Sequence, residues 1–166
     1  MQPKSFVLKG NVCYSVSPQE VSVTESGYVV CVDGKSAGVF PELPEKYADL
    51  PLVDCGDKLV VPGMSDIHIH APQYAFRGLG MDLELLDWLN THTFPEEAHY
   101  ADLGYAGRAY DIFADDLRRS STTRAVVFGT MHVPATELLM DKLEATGLST
   151  YVGKVNMDRN GGENLE

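Results

Sequence analysis

The larger, C-terminal part of the chain alternates apolar strands with amphipathic helices, and this alternation restricts the possible folds more than any other feature. Strands are predicted at 64–70, 124–131 and 149–157, and helices at 101–119 and 135–146. Buried strands that are joined through helices pair in parallel, with right-handed crossovers. We therefore expect an α/β fold built on a parallel sheet.

Local signals set the expected helix ends. In the helix at 101–119, apolar residues recur at steps of three and four, namely at Leu103, Ala106, Tyr110, Phe113 and Leu117. Gly147 is expected to end the helix at 135–146, because glycine readily adopts the left-handed conformation found at helix C-termini. A shorter helix is predicted at 82–90 with Asp82 as its N-cap, and Pro95 is expected to open a further helical turn.

The N-terminal residues have a different character and predict a small β unit. The expected strands are 6–15, 28–32, 36–40 and 59–61. Between two of them, Asp33-Gly34 is a strong hairpin signal. Three prolines break the segment after the hairpin into loop, with one helical turn. We interpret residues 1–61 as part of a β-sandwich and residues 62–166 as the α/β unit.

Two histidines lie two positions apart in the first strand of the α/β unit. Side chains at i and i+2 of a strand share a face, so His68 and His70 project side by side, about 7 Å apart at the backbone. Ile67 and Ile69 are expected to pack against the protein from the other face. Two imidazoles in this arrangement form half of a zinc site. A chance surface pair, or buried histidines bonded to their neighbours, explains the pair alone equally well; the preceding glycine turn and the following Gln73 favour the metal.

Composition excludes several classes of function. The net charge of −11 argues against nucleic acid as a partner, because phosphate binding needs clustered Lys and Arg, and it disfavours anionic membranes. No apolar run approaches the roughly 18 residues that span a membrane, and the first residues lack the pattern of a signal peptide. Three widely spaced cysteines fit neither a zinc motif nor a disulfide framework. A reducing compartment, the cytoplasm, is therefore expected.

Functional groups of α/β barrels lie at the C-terminal ends of the strands. Behind the second and third strands, this rule selects Thr130, His132, Asn156, Met157, Asp158 and Arg159. His132 fits a loop cap better than a direct role. An ordinary ion pair explains Asp158 and Arg159 better than contact with a substrate.

The connecting segments hold further histidines and aromatic residues. His92 and His99 are interpreted as surface residues. Trp88 and Phe94 fit the core better than a platform on which a substrate stacks, although a loop tryptophan above a barrel mouth is able to serve as one.

Three ordered blocks of sequence carry a resemblance to a known family. Val61-Pro62-Gly63 followed by Asp66-x-His68-x-His70 is similar to the first-strand signature of the amidohydrolase superfamily. Three more specific blocks resemble the guanine deaminase family: His68-Ile-His-Ala-Pro-Gln-Tyr74, Leu85-Leu-Asp-Trp-Leu-Asn-Thr-His-Thr-Phe-Pro-Glu-Glu97 and Val152-Gly-Lys-Val-Asn-Met-Asp-Arg-Asn160. The resemblance extends from about Val61 to Asn160.

The resemblance implies the N-terminal portion of a metal-dependent hydrolase (β/α)8 TIM barrel, and a zinc-dependent conversion of guanine to xanthine and ammonia. In that family one zinc activates the water that attacks C2 of guanine. His68 and His70 match two zinc ligands, and Gln73 matches a glutamine that contacts the substrate. His70 and Trp88 are the further candidate substrate-binding residues. The resemblance also implies a homodimer, a small purine as the ligand, and no role for nucleic acid or membrane.

The sequence also departs from the family pattern. A third histidine ligand, a proton-shuttling glutamate, a histidine near the water and a late aspartate would come from strands that the sequence does not contain, so no catalytic residue is assigned within the chain. Thr122-Thr123-Arg124-Ala125 stands in place of a Gly-Thr-Thr-Thr-type turn. Three strands cannot close an eight-stranded barrel, and no helix follows the third.

We therefore expect an incomplete barrel, inactive in isolation and prone to self-association through its open sheet. Two alternatives remain. One is another amidohydrolase that deaminates a different aminated heterocycle. The other is a non-catalytic remnant that folds only by pairing with another chain.

Overall fold

A computed structural model describes residues 4–159, and in it the chain divides into two units, Met1–Pro62 and Gly63–Glu166. The expected absence of a helix after the third strand concerns residues 160–166, which lie outside the described residues. The same holds for Asn160 at the end of the third sequence block.

The first unit is a four-stranded sheet in the order β3-β2-β1-β4. Its strands are β1 (Phe6–Ser17), β2 (Glu20–Val32), β3 (Lys35–Phe40) and β4 (Leu52–Val60). The first three pair antiparallel, and β4 pairs in parallel with β1. The predicted hairpin is confirmed: Asp33 and Gly34 connect β2 and β3, with φ angles of 50° and 76°.

Two strands of this unit are longer than predicted. β2 begins at Glu20, and β4 begins at Leu52 in the segment that was expected to be loop. Before β4, the single helical turn lies at Glu45–Tyr47. Both extensions are held by backbone pairing with β1, as in the pairing of Val7 with Leu52. Most of their side chains are exposed, including the alternating Val21 and Val23 of β2, so these strands extend through backbone pairing and not through burial of an apolar face.

The second unit contains the predicted parallel sheet, in the order β5-β6-β7. Its strands are β5 (Met64–His70), β6 (Thr122–Phe128) and β7 (Ser149–Gly153). β6 and β7 end earlier than the predicted 131 and 157, and the residues that follow form the loops at the carboxyl edge. In register, His70 pairs with Phe128, and Phe128 pairs with Gly153.

Two long helices cover one face of this sheet. They are α3 (Leu103–Arg119) and α4 (Val133–Thr146). The core that they form with the strands consists of Ala71, Tyr100, Ala106, Tyr110, Phe113, Ala114, Leu117, Ala125, Val127, Ala135, Leu139 and Leu143. As predicted, Gly147 ends α4 with a φ of 76°. Asp102 is the N-cap of α3, where its side chain accepts the backbone N–H groups of Gly104 and Tyr105.

Two apolar residues that were predicted to be buried are exposed. Ile67 has 77% of its surface exposed, because β5 is an edge strand and no described residue covers this position, whereas Ile69 packs against the core. Leu103 is 49% exposed, because it is the first residue of α3 and precedes the buried stripe that starts at Ala106.

The region between β5 and α3 consists of short helices. They are the 3-10 helix Pro72–Phe76, α1 (Leu85–Trp88), a π-helical turn Leu89–Thr93, α2 (Phe94–Ala98) and the 3-10 helix His99–Ala101. Asp82 is not the N-cap as predicted. Glu84 holds that position, without a capping bond from its side chain. Pro95 lies in the first turn of α2, as expected.

The helices and the cysteines bear on the expected environment of the chain. No helix within residues 4–159 combines the length and hydropathy needed to cross a membrane. The three cysteines, Cys13, Cys31 and Cys55, are free thiols.

Candidate active site

The two histidines of β5 bring their ring nitrogens together. The Nε2 atoms of His68 and His70 lie 3.2 Å apart. Two nitrogens that each lie about 2.0–2.1 Å from one tetrahedral zinc are about 3.3 Å apart. The pair therefore has the spacing of two ligands of a single zinc ion.

Neighbouring groups fix the orientation of this pair. The aromatic ring of Phe128, the partner of His70 in the sheet register, stacks on the His70 ring at 4.7 Å with an interplanar angle of 14°. The same ring lies 5.0 Å from the ring of His68. Asp66 accepts the backbone N–H of His68 through Oδ1 at 3.1 Å. Both imidazoles are thus held by β5 and β6 together.

The surroundings of His70 favour its neutral form. Burial, and then the neighbouring His68, lower the pKa of His70. Neutral imidazole is the form that binds metals. Its Nδ1 atom is buried and has no hydrogen-bond partner among residues 4–159. The donor set fits zinc in chemistry and spacing but is incomplete, since the described part of the chain contains no cluster of three or more metal-ligating side chains.

Gln73 approaches the histidines from the 3-10 helix that follows β5. Its Nε2 donates a hydrogen bond of 3.3 Å to Oε1 of Glu97, a residue of α2. Glu97 is buried, with 4% of its surface exposed. Burial raises the pKa of its carboxyl group, and the hydrogen bond from Gln73 partly opposes that rise.

An open cleft of about 300 Å³ joins these groups. His68, His70, Gln73 and Trp88, the four candidate site residues from the sequence, all line it. Trp88 donates its Nε1–H to the carbonyl of Leu79 at 3.2 Å, so the indole is fixed at the cleft wall. The cleft is at the lower end of the volumes usual for small-molecule sites.

The residues after the second strand have structural contacts. The buried hydroxyl of Thr130 accepts the backbone N–H of His132. His132 occupies the N-cap position of α4 without a capping bond from its side chain.

At the end of the third strand, Asp158 and Arg159 form an exposed two-point ion pair, as the simpler interpretation predicted. None of these residues lines the cleft, and neither do Asn156 and Met157.

One histidine assignment needs correction. His99 is exposed as predicted, but His92 is partly buried and stacks on Phe76 at 6.0 Å. The π-helical turn places it there, and sequence periodicity does not reveal such a turn.

Sequence reasoning missed the roles of Phe128 and Glu97. Phe128 ends an apolar strand and was interpreted as part of it; the register that pairs it with His70 is visible only in three dimensions. Glu97 lies in a quoted sequence block, but an acidic residue in a helix is usually solvated, and nothing in the sequence marks its burial.

A family model described as the amidohydrolase family matches residues 59–166. The chain belongs to the amidohydrolase family. The predicted fold class is thereby confirmed, and β5, β6 and β7 with their helices are βα units of an amidohydrolase barrel.

Several relatives within the amidohydrolases are guanine deaminases. The guanine deaminase of Dictyostelium discoideum is 32% identical and aligns over 92% of this chain and 38% of its own length. That of Escherichia coli is 44% identical over 64% of this chain and 24% of its own length. The crystal structure of guanine deaminase from C. acetobutylicum with bound guanine in the active site has a TM-score of 0.91 and 41% identity, covering 97% of this chain and 38% of that one. The chain thus matches between about a quarter and two fifths of the length of these relatives.

Proposed function

We propose that this amidohydrolase site belongs to a zinc-dependent guanine deaminase, which converts guanine to xanthine and ammonia. The observation that carries the proposal is the 3.2 Å approach of the two Nε2 atoms in one cleft with Gln73. The guanine deaminases among the relatives, one of them crystallised with guanine, support the choice of substrate.

Each of the four candidate site residues has a role in the proposal. His68 and His70 would hold zinc, which when bound supplies a hydroxide nucleophile at neutral pH. The amide of Gln73 would bind the edge of the purine, because it both donates and accepts hydrogen bonds. Trp88 would bound the ring plane from the cleft wall, and His70 would contact the substrate beside the metal.

Activity of the complete gene product tests the proposal. We expect about one zinc per subunit and ammonia release from guanine. A zinc-loaded product that leaves guanine intact but releases ammonia from another aminated heterocycle would replace guanine deamination with the alternative amidohydrolase function.

The 166-residue chain by itself is expected to show little or no turnover, because residues 4–159 supply two zinc ligands where a catalytic site needs three. Sequencing the DNA beyond codon 166 separates this proposal from a non-catalytic remnant. An in-frame continuation that encodes the further His, Glu, His and Asp residues on later strands supports the enzyme, and a stop codon supports the remnant.

The proposal also covers the oligomeric state and the cellular location of the enzyme. The complete product would act as a homodimer in the cytoplasm on a small purine. Light scattering coupled to size-exclusion chromatography tests the dimer, and cell fractionation tests the location.

A further inference from the structure

Glu97 is a buried carboxyl group next to the cleft that the roles above leave unused. With 4% of its surface exposed, it is far less accessible than acidic residues usually are. Within residues 4–159, its side chain has one hydrogen-bond partner, the amide of Gln73 at 3.3 Å. Burying an ionisable group is costly unless it is paired, so this contact is a specific feature of the site.

The chemistry of the two groups fixes the direction of their bond. An ionised carboxylate accepts hydrogen bonds and cannot donate them. The two ends of a glutamine amide have nearly the same size, so packing alone does not choose between its two orientations. The ionised form of Glu97, which the hydrogen bond from Gln73 favours in opposition to burial, does choose, since it requires Nε2 of Gln73 to face Glu97. Oε1 of Gln73 then receives no bond from any described residue.

A second contact ties the same two segments together. Tyr100, in the 3-10 helix that follows α2, donates its hydroxyl to the carbonyl of Pro72 at 3.1 Å. Pro72 and Gln73 belong to one 3-10 turn. The segment around α2 therefore holds this turn by its backbone through Tyr100 and by the Gln73 side chain through Glu97.

We propose that Glu97 is a positioning residue that fixes the amide orientation of Gln73, so that Gln73 offers Oε1 as an acceptor and its second Nε2 hydrogen as a donor to a purine edge. This inference rests on the proposed function and adds the origin of its selectivity. Guanine presents an N1–H donor beside the O6 acceptor, whereas adenine presents an N1 acceptor beside an amino donor. A fixed amide distinguishes these patterns, and a freely turning amide does not.

The variant Glu97→Gln tests this role with little change in size. The new amide can pair with the Gln73 amide in either of its orientations. The variant therefore no longer fixes the orientation of Gln73 but keeps a hydrogen bond to it. In the complete zinc-loaded product we expect the KM for guanine to rise about 5- to 10-fold with kcat nearly unchanged, the scale of one hydrogen bond. Inhibition by adenine should strengthen. Glu96→Gln is the matched control, because Glu96 contacts Tyr105 and His99 instead, and it should leave KM unchanged.

A double mutant separates positioning from a structural role. If Glu97 acts through Gln73, then Glu97→Gln should have no further effect on KM in a Gln73→Ala background. Additive losses, or a Glu97→Gln variant that lowers kcat and leaves KM and adenine inhibition unchanged, would overturn the inference while leaving guanine deamination intact.

Nuclear magnetic resonance gives a readout that does not depend on turnover. The Gln73 side-chain amide signal, assigned by its loss in Gln73→Ala, should show one strongly shifted, slowly exchanging proton in the wild type, and this proton should lose its shift in Glu97→Gln. A wild-type signal without that proton overturns the positioning role. Absence of guanine turnover with the shifted proton present contradicts the proposed function and supports the Gln73–Glu97 contact.

Discussion

The two faces of the parallel sheet differ in what they do. On the face covered by α3 and α4, Ala125 and Val127 of β6 are buried, and Val152 of β7 packs against the same core. On the opposite face, Val126 and Tyr151 are exposed, and Phe128 contacts the rings of the two site histidines, His68 and His70. Along one strand, the residues that face the helices therefore stabilise the fold, and the alternate residues on the open face are available for binding and catalysis. Substitutions on the two faces should therefore give separable effects.

The largest effect is expected on the open face. His68→Ala or His70→Ala in the complete product should lower guanine deamination by at least about 10⁴-fold, because bound metal supplies much of the barrier reduction. Metal analysis and ammonia release measure this, and thermal stability should change little. His99→Ala, at an exposed histidine outside the cleft, is the control. Full activity in the His70→Ala variant would contradict the assigned metal site.

The next effect belongs to the covered face. Leu139→Ala removes a fully buried side chain of α4 and should reduce the free energy of unfolding by about 2–5 kcal/mol. The control Met140→Ala, at a neighbouring exposed residue, should cost less than about 0.5 kcal/mol. Urea unfolding followed by circular dichroism measures both. Similar losses in the two variants would show that α4 does not cover the sheet as described.

Phe128 sharpens the comparison, because it lies on the open face but contacts both histidine rings. Phe128→Ala should weaken zinc binding about 10-fold, at the lower end of effects known for residues that orient ligands. Competition with a zinc chelator measures the affinity. Val126→Ala, on the same face but outside the histidine contacts, is the matched control. Equal affinity in both variants would refute an orienting role for Phe128.

The smallest effect is expected at the start of a covering helix. Asp102→Ala removes the N-cap of α3 and should lower the free energy of unfolding by about 1 kcal/mol. Glu84→Ala, at an N-cap position without a capping bond from the side chain, should have almost no effect. If thermal unfolding midpoints show equal losses, the capping bonds of Asp102 do not contribute as inferred.

The covered face was also the easier one to predict. Ala106, Tyr110, Phe113 and Leu117 recur at helical spacing, and all four are buried in α3. Periodicity reports burial, so it locates elements that bury one side. The two histidines were found for a similar reason, because alternation in a strand fixes which side chains share a face.

The features that escaped prediction depend on contacts distant in sequence. The β2 and β4 extensions are held by backbone pairing with β1 and bury little apolar surface, although Val21 and Val23 alternate in the sequence. The histidine–phenylalanine stack depends on the register between β5 and β6. Glu97 is buried and bonded to Gln73, which lies 24 positions away in the sequence, and no local rule anticipates this contact.

The π-helical turn at Leu89–Thr93 lies between Trp88 and Glu97, so it sets the angle about the helix axis at which these two side chains project. An α-helix advances about 100° per residue, so a wider turn resets the direction in which every later side chain projects. Regular α-helical winding of the same residues would instead rotate Glu97 by about a quarter of a revolution relative to Trp88. The cleft wall and the support for Gln73 would then no longer face the same way, although no residue of either had been replaced.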